Sequence, residues 1–507
     1  MRVFPCLAGA VTASLLLACD DHTEPPSAAT PAFESAQANF VTSQPAQARA
    51  LLSGARLKPI LTVGDPLPGQ QDNPDPEQRV WAPIPDGLGA YQEHGDLVLL
   101  ANHEITSSGV DGRFPYSRVS RLILDPQTLG VKSGSYAIIG QSAGAHGLLF
   151  QRLCSASLAG ADEGFDPGWF FTGEESTTGG AEGIQLAVRE DGSQVRRLPW
   201  LGRFNHENYI SVPGFHNKVV MLGTDDSSPV SLGAPGQSEL YMYVAKGPGG
   251  VLFGNGKLYV FKTSEKSNSG ELVVGEPIHG HFEEIPDAAD ASAQELQAKV
   301  DRRHAFKFVR LEDIAYDLRE TIGTGPRSHD PMVYFVDTGN LNAQCGGKPC
   351  DLFGSIYGLR LDPEDPTRNA RLVLLARSQG AETGWASPDN IAVSRNSLMI
   401  QEDPAYAGFN RPERIWNFKL RPNGKLAPPQ AVVELKTEKF TGAVCSEPAG
   451  TCWESSGIID ASPWLGDGTW LFDVQAHTLP FSYKDKQATI NVSAEGGQLL
   501  FLRLAGS

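Results

Sequence analysis

The chain contains 507 residues, among them 54 glycines and 36 prolines, and carries a formal net charge of −17. This charge argues against a nucleic-acid-binding surface, because nucleic acids are held mainly by Lys and Arg contacts to phosphate. Glycine and proline separate short runs of Val, Ile, Leu, Phe and Tyr, which is typical of many strands joined by turns. The composition therefore predicts an all-β protein.

The N-terminus has the features of a lipoprotein signal peptide, which we assign to residues 1–18. Leu7–Ala18 is apolar but too short to cross a membrane as a stable helix, and Leu16–Cys19 has the form of a lipobox. Cys19 would become the lipidated first residue of an exported protein that is anchored to a bacterial membrane and faces the periplasm. An ordinary signal peptide is the alternative. Residues 19–55, rich in Ala, Pro, Ser, Thr and Gln, predict a flexible tether before a single domain at residues 56–507.

Within residues 56–507, an apolar strand that ends in acids or amides occurs six times, and a strand of alternating pattern follows each one. Six such repeats predict a six-bladed β-propeller. Polar residues at helical spacing in Ile285–Lys307 predict a helix inserted between the third and fourth blades. A closed propeller has little exposed strand edge, so we expect a monomer. The six strands are Leu99–Glu104, Phe170–Glu175, Val220–Asp226, Val333–Asp337, Ser397–Asp403 and Trp470–Gln475.

A second recurring element is an acid in a turn just ahead of a short apolar strand. In a propeller the first strand of each blade lines the central channel, so equivalent positions form a ring at one mouth. Carboxylates gathered this closely repel one another unless cations lie among them. Turn formation alone is the alternative explanation for each acid. The ring acids are Asp86, Glu207, Glu312, Asp389 and Glu454.

The cysteine spacing assigns two local disulfides. The pairs Cys345–Cys350 and Cys445–Cys452 each lie in a loop rich in Gly and Pro, and disulfides persist in exported proteins. A zinc site built from these four cysteines is the alternative.

Cys154 is the cysteine that has no other assignment, and it precedes the adjacent acids Glu174 and Glu175. A thiolate among carboxylates favours a transition metal beside hard oxygen sites, so a mixed cluster of iron or zinc with calcium is chemically consistent. A buried structural thiol is the alternative.

The order of motifs along the chain resembles that of the PhoX-type alkaline phosphatases, over nearly all of the mature chain. This resemblance implies a six-bladed propeller with a central iron and calcium cluster, which hydrolyses small phosphate monoesters with a metal-bound oxygen as nucleophile. The motifs are Pro85–Gly89, Asn102–Glu104, Leu153–Ser155, Thr172–Glu175, Leu201–Glu207, Gly223–Asp226, Arg310–Asp313, Pro388–Asn390 and Asp473–His477.

The resemblance also implies roles for individual residues. Arg310, two positions before a ligand glutamate, would clamp the phosphoryl oxygens, although from the residues alone a surface ion pair with Glu312 or Asp313 is the alternative. His103 and His206 are expected to orient the glutamates that follow them rather than to act as general acids. The implied iron and calcium ligands are Glu104, Cys154, Glu174 or Glu175, Glu207 and Glu312, with Asp389 and Asn390 as possible calcium ligands.

Two other function classes fit the same sequence features. Calcium-centred propellers also hydrolyse lactones and related esters with Asp, Asn and Glu ligands alone. A lipoprotein that presents a propeller face to a partner without turnover is the third possibility.

Overall fold

A computed structural model describes residues 39–140, 149–228, 237–321, 330–345, 348–404, 411–421, 425–437 and 453–505. The predicted lipidation site Cys19 and the predicted disulfide Cys445–Cys452 lie outside these residues. Among the residues described, none belongs to a helix with the length and apolar character needed to cross a membrane.

Strands account for most of the regular structure, in agreement with the predicted all-β class. Within the described ranges, the α-helices are α1 (Gly247–Leu252), α2 (Ala293–Arg302), α3 (Leu318–Thr321) and α4 (Ser462–Leu465). The strands are β1 (Ala48–Ala50), β2 (Arg56–Thr62), β3 (Pro85–Glu93), β4 (Asp96–His103), β5 (Arg118–Leu124), β6 (Val131–Ile139), β7 (Leu153–Ala159), β8 (Trp169–Glu174), β9 (Gln185–Arg189), β10 (Val195–Arg197), β11 (His206–Val212), β12 (Val219–Asp225), β13 (Leu240–Ala245), β14 (Gly256–Lys262), β15 (Pro277–Glu284), β16 (Leu311–Tyr316), β17 (Met332–Asp337), β18 (Gln344–Cys345), β19 (Lys348–Pro349), β20 (Ser355–Arg360), β21 (Ala370–Arg377), β22 (Pro388–Val393), β23 (Ser397–Glu402), β24 (Arg414–Lys419), β25 (Gln430–Leu435), β26 (Glu454–Asp460), β27 (Thr469–Ala476), β28 (Phe481–Asp485), β29 (Ala488–Val492) and β30 (Gly496–Arg503).

The larger sheets surround a ring of innermost strands. Neighbouring strands in the ring contact one another in the order β3, β7, β11, β16, β22 and β26, and β26 returns to β3. Among the described residues, the six predicted blades appear as five separate sheets, because β15 pairs with both β14 and β21 and so joins two units into one nine-stranded sheet. The five sheets have the strand orders β3-β4-β5-β6, β10-β9-β8-β7, β11-β12-β13-β14-β15-β21-β20-β17-β16, β1-β25-β24-β23-β22 and β2-β30-β27-β26.

The N-terminal part of the described chain completes the two sheets that come last in sequence. Strand β1 pairs with β25, and β2 pairs with β30. The backbone N–H of Gln47 donates to Oε1 of Gln498 at 2.8 Å, and Ala48 is buried. The prediction that the tether extends to residue 55 is therefore wrong, because Phe40 bridges to Val131 and residues 48–50 pair with β25.

The second strands of the sheets are apolar on both faces because each sheet packs between two others. In β4, Leu97 and Leu99 contribute to one hydrophobic core and Leu100 contributes to the core on the opposite side. Side chains of a strand alternate between the two faces, so a continuous apolar run fills both cores. This arrangement explains why these strands read as unbroken hydrophobic segments.

Helix α2 lies where the sequence predicts an inserted helix, between β15 and β16. Ser292 caps its first turn: the Ser292 Oγ accepts from the N–H of Glu295, and the Glu295 carboxylate accepts from the N–H of Ser292. Leu296 and Val300 bury the apolar side of the helix in the core that also contains Phe204. The helix therefore packs on the segment that leads into β11.

Candidate metal centre

A β-bulge recurs in each of the six innermost strands. The register with the second strand shifts by one residue between Pro85 and Leu88 in β3, and an equivalent shift occurs in β7, β11, β16, β22 and β26. At each shift two residues oppose one, which turns local side chains away from the regular alternation. The bulge is therefore the local feature that positions the residues of the central site.

The first bulge residue of five strands is an acid or cysteine, and the second is small, an amide or an acid. The first positions hold Asp86, Cys154, Glu207, Glu312, Asp389 and Ser456, and the second positions hold Gly87, Ser155, Asn208, Asp313, Asn390 and Gly457. All of the first residues are buried.

The register corrects the predicted ring position of Glu454. Glu454 pairs directly with Gln475 ahead of the bulge in β26, which begins after Ser455. The bulge residue that corresponds to Asp86 is therefore Ser456, and Glu454 lies two residues nearer the strand's start. Its charge still raises the pKa of Asp86, after the larger effects of burial and Glu104.

The acids and Cys154 form three adjoining groups that could each hold a cation. Within each group, one ligand atom per residue lies within 4.8 Å of the others. Cys154 belongs to the first and second groups, and Glu207 belongs to the second and third. The groups are Asp86 with Glu104 and Cys154, then Cys154 with Glu175 and Glu207, then Glu207 with Glu312 and Asp389.

The electrostatics of these residues fit bound cations. Burial raises the pKa of Glu207 well above its ordinary value, and the charges of Glu312 and Glu175 raise it further. Oε2 of Glu207 is buried and accepts no hydrogen bond from any residue that the structure describes. A buried carboxylate in this state is stabilised by a proton or by a metal ion, and the mixed thiol and carboxylate donors suit the latter.

Glu174 ends β8 and Glu175 follows it, and the two carboxylates have different partners. The carboxylate of Glu174 accepts hydrogen bonds from the backbone N–H groups of Gln151, Glu182 and Ile184. Glu175, in contrast, belongs to the second cation group. Of the two predicted ligands, Glu175 thus lies in a group that could hold a cation and Glu174 does not, and the role of Glu175 as a ligand stays a prediction.

Arg310 is fixed within the site rather than on the surface. Its Nε and Nη2 donate to the two carboxylate oxygens of Asp226 at 2.8 and 2.7 Å, and Nη2 also lies 3.0 Å from Oε1 of Glu312. The side chain is 9% exposed. The predicted pairing with Glu312 is present, but it is buried, and the pairing with Asp226 was not foreseen.

Comparison with known protein families decides the classification. The sequence model of the family described as alkaline phosphatase PhoX matches residues 188–458, more than half of the chain. The chain belongs to the PhoX alkaline phosphatase family. The matched range includes Glu207, Arg310, Glu312 and Asp389.

One solved structure agrees with this classification at the level of fold. PhoX of Pseudomonas fluorescens, solved in complex with vanadate, a transition state analogue, shares 14% identity with this chain. The match covers 89% of this chain and 95% of that chain, with a TM-score of 0.60. An α-L-arabinanase of Penicillium chrysogenum is more distant, with 9% identity, 87% and 98% coverage and a TM-score of 0.38. No curated protein matches the sequence.

In this PhoX-family protein a polar layer lies directly beneath the acids. The Ser155 hydroxyl donates to Oε1 of Glu207 and accepts from Nδ2 of Asn390, the latter at 2.7 Å. Asn208 donates to Asp313 at 2.6 Å. The predicted calcium ligand Asn390 therefore hydrogen-bonds Ser155, which in turn holds Glu207. Its neighbour Asp389 belongs to the third cation group.

The two predicted orienting histidines have structural positions instead. His103 contacts the Pro83 carbonyl and the Ser120 hydroxyl, and His206 contacts the Gly202 carbonyl. Burial lowers the pKa of both imidazoles to about 3. Both ring nitrogens of His103 and Nε2 of His206 contact other groups, and Nδ1 of His206 has no partner among the described residues. Neither imidazole therefore hydrogen-bonds the glutamate that follows it, and the prediction that they orient these glutamates is wrong.

Two basic residues near the acids were not singled out from the sequence. Nη2 of Arg152 lies 2.7 Å from Oε1 of Glu104 and 2.6 Å from Oε2 of Glu175. His477 lies 2.8 Å from Glu495 and 3.5 Å from Glu454. In the sequence, the one feature that could have drawn attention to Arg152 is its position two residues before Cys154. Its contacts with Glu104 and Glu175 depend on the fold.

The states of two cysteines, Cys154 and Cys350, are consistent with the sequence predictions. Cys154 is a buried free cysteine, and Cys350 is disulfide-bonded. Cys345 lies in the short hairpin of β18 and β19, which returns the chain toward Cys350. The pairing of Cys345 with Cys350 stays a prediction.

Proposed function

We propose that the ring of bulge residues around Cys154 is the active centre at which this metal-dependent phosphatase hydrolyses phosphate monoesters. The observation that carries the proposal is the continuous series of three cation groups linked through Cys154 and Glu207. Family membership supports the phosphatase activity, and the described acidic groups supply the donors that such an activity requires.

The donor types of the groups favour iron and calcium. The thiol of Cys154 serves the first two groups and favours a transition metal such as iron, whereas the third group, with Glu207, Glu312 and Asp389, offers only hard oxygen donors and suits calcium. Multivalent cations bound here would neutralise the carboxylates, polarise the phosphoryl group and activate the attacking oxygen.

The residues of the chain have two tasks in this proposal. Ser155 and Asn390 hold Glu207 in one orientation, because the serine hydroxyl bridges the amide and the carboxylate. Arg310, held by Asp226 and Glu312, places a fixed positive charge beside the third group. A preorganised cation of this kind attracts the phosphoryl dianion to an otherwise acidic site. The vanadate complex of the Pseudomonas protein supports anion binding at a site of this fold.

Metal removal and reconstitution test the proposal. We expect chelation to abolish phosphate release from an aryl phosphate, and iron together with calcium to restore it. Iron bound through Cys154 should add visible absorbance from thiolate-to-iron charge transfer. A colourless protein that is active with calcium alone on lactones, and inactive on the aryl phosphate, would contradict the proposal. Full metal occupancy without turnover of either substrate would indicate a binding protein.

We also propose that the protein is exported and anchored to a membrane by lipid on Cys19. The lipobox form of Leu16–Cys19 supports this location. Labelling of growing cells with a palmitate analogue should mark the wild-type chain and leave Cys19→Ala unmarked. Equal labelling of both chains would contradict the assignment.

A further inference from the structure

The backbone of Arg152 is fixed immediately ahead of β7. Its N–H donates to the Ile105 carbonyl at 3.0 Å, and its carbonyl accepts from the N–H of Glu175 at 2.9 Å. The residue has φ of 50°, in the left-handed region that non-glycine residues seldom occupy. These hydrogen bonds hold the backbone of Arg152 beside Glu175 at the start of β7.

The guanidinium of Arg152 joins two different cation groups. Its Nη2 contacts Glu104, which belongs to the first group, and Glu175, which belongs to the second, at 2.7 and 2.6 Å. Both groups share Cys154. Arg152 therefore spans the two groups that contain the thiol.

The two arginines of the site differ in accessibility. The side chain of Arg310 is 9% exposed and its Nε and Nη2 face Asp226. The side chain of Arg152 is 40% exposed. Its contacts to Glu104 and Glu175 use one nitrogen, Nη2, whereas its Nε is buried and has no hydrogen-bond partner among the residues that the structure describes. Arg152 is thus the more accessible of the two arginines.

We propose that Arg152 is a catalytic residue that binds a phosphoryl oxygen of the substrate, in addition to the more deeply buried Arg310. Planar guanidinium groups bind phosphate oxygens through charge-assisted hydrogen bonds. Once cations bind Glu104 and Glu175, those carboxylates share their charge with the metals, and the guanidinium is free to engage an anion. This inference rests on the proposed function, because it names a substrate contact at the same centre.

Binding of orthophosphate to the full, metal-loaded chain tests the inference. We expect Arg152→Gln to weaken binding by about tenfold or more with unchanged metal content, because one charged hydrogen-bonding partner is lost. Arg152→Lys keeps the charge without the planar fork and should show a smaller loss. Arg414→Gln is the matched control: this arginine also pairs with a carboxylate, Glu434 at 2.7 Å, but lies in the outer part of its sheet.

The outcomes separate this inference from the proposed function. Unchanged orthophosphate affinity in Arg152→Gln, or a loss that occurs only together with loss of metal, would overturn the role of Arg152 while aryl phosphate hydrolysis by the wild type stands. Orthophosphate binding that depends on Arg152, in a protein that does not hydrolyse the aryl phosphate, would support Arg152 and overturn the proposed function. If Arg152→Gln does not fold, Arg152→Lys decides: unchanged affinity overturns the inference, and a severalfold loss at full metal content supports it.

Discussion

Sγ of Cys154 lies 3.4 Å from Oδ2 of Asp86, although 68 positions separate the two residues in the chain. Both are the first residue of a bulge, in the neighbouring strands β7 and β3. Their contact therefore depends on two backbones that approach closely at the same level of the ring. A change that separates these strands should disturb the metal centre even if no ligand is altered.

Gly87→Ala tests this dependence. A Cβ at Gly87 would lie 2.3 Å from the backbone N of Ala156 and 2.5 Å from the carbonyl carbon of Ser155, so β3 and β7 would have to move apart. We expect the free energy of unfolding to fall by about 1–3 kcal/mol or more, with loss of bound metal. Gly384→Ala is the control, since no described atom lies within 4 Å of its added Cβ. Equal thermal stability and metal content in both variants would show that the close approach is unimportant.

The adjacent acids Glu174 and Glu175 give a second matched pair. Glu174→Gln should keep the metal but lower the free energy of unfolding by about 1–3 kcal/mol, because the new NH₂ group faces backbone N–H donors. Glu175→Gln should lower metal content and activity. Metal analysis and denaturant unfolding of the two variants are the measurements. If Glu174→Gln loses more metal than Glu175→Gln, the assignment of their roles is reversed.

The sequence was sufficient to predict the strands and most of the acids. Strands such as β4 carry continuous apolar runs because both faces are buried, and this pattern is local. The acids Glu207, Glu312 and Asp389 recur at the same place relative to their strands, so their common position could be inferred from spacing.

Other features depend on register or on contacts between distant segments. Glu454 precedes its strand's bulge while Asp86 lies within one, and no local signal distinguishes the two cases. Pairing of β1 with β25 joins residues nearly 400 positions apart, so composition alone suggested a tether. Arg152 likewise gains its partners only through the fold, because Glu104 and Glu175 follow the ends of two other strands, β4 and β8.

The stability of the metal-free protein should depend on pH in a defined direction. Burial raises the pKa of Glu174 from 4.5 to about 7. Burial alone would lower the pKa of His477, but hydrogen bonds to Glu454 and Glu495 raise it well above 6.5. In both cases the folded state binds more protons than the unfolded state, so the free energy of unfolding falls as pH rises. For Glu174 the fall covers pH 4.5 to about 7, and for His477 it begins at 6.5 and continues to the higher folded pKa.

Two other histidines have the opposite effect on the free energy of unfolding, which they raise as pH rises, but only below about pH 6.5. His103 and His206 stay neutral in the fold with a pKa of about 3, so they lower stability below 6.5, where the unfolded chain takes up protons. We therefore expect the Tm of metal-free protein to fall as the pH rises above about 6.5. The stabilisation by added metal should grow over the same range, because ligands must be deprotonated to bind. A rising Tm of the metal-free protein in thermal scans would contradict these assignments.

Replacing the buried Asp473 by Asn is expected to stabilise the protein. It opposes the bulge of β26, as Asn102 opposes that of β3. Asn102 donates to the Cys154 carbonyl and to Oγ1 of Thr172, whereas both carboxylate oxygens of Asp473 are buried with no hydrogen-bond partner among the described residues. Asp473→Asn should raise the free energy of unfolding by about 1–3 kcal/mol.

The reverse substitution is the control for this prediction. Asn102→Asp removes two donated hydrogen bonds and should lower the free energy of unfolding in denaturant titrations. Loss of bound metal in Asp473→Asn would instead identify Asp473 as a cation ligand, and would refute its description as an unpartnered acid.

The most direct test of the metal centre is metal content and aryl phosphate hydrolysis measured on the same samples of wild-type protein and Cys154→Ala. Cys154 is shared by two of the three cation groups, so its loss removes a ligand from both. We predict metal-containing, active wild-type protein, and at least about a tenfold loss of metal affinity in the variant, accompanied by loss of phosphate release. A Cys154→Ala protein that keeps both its metal and its activity would contradict the placement of the active centre.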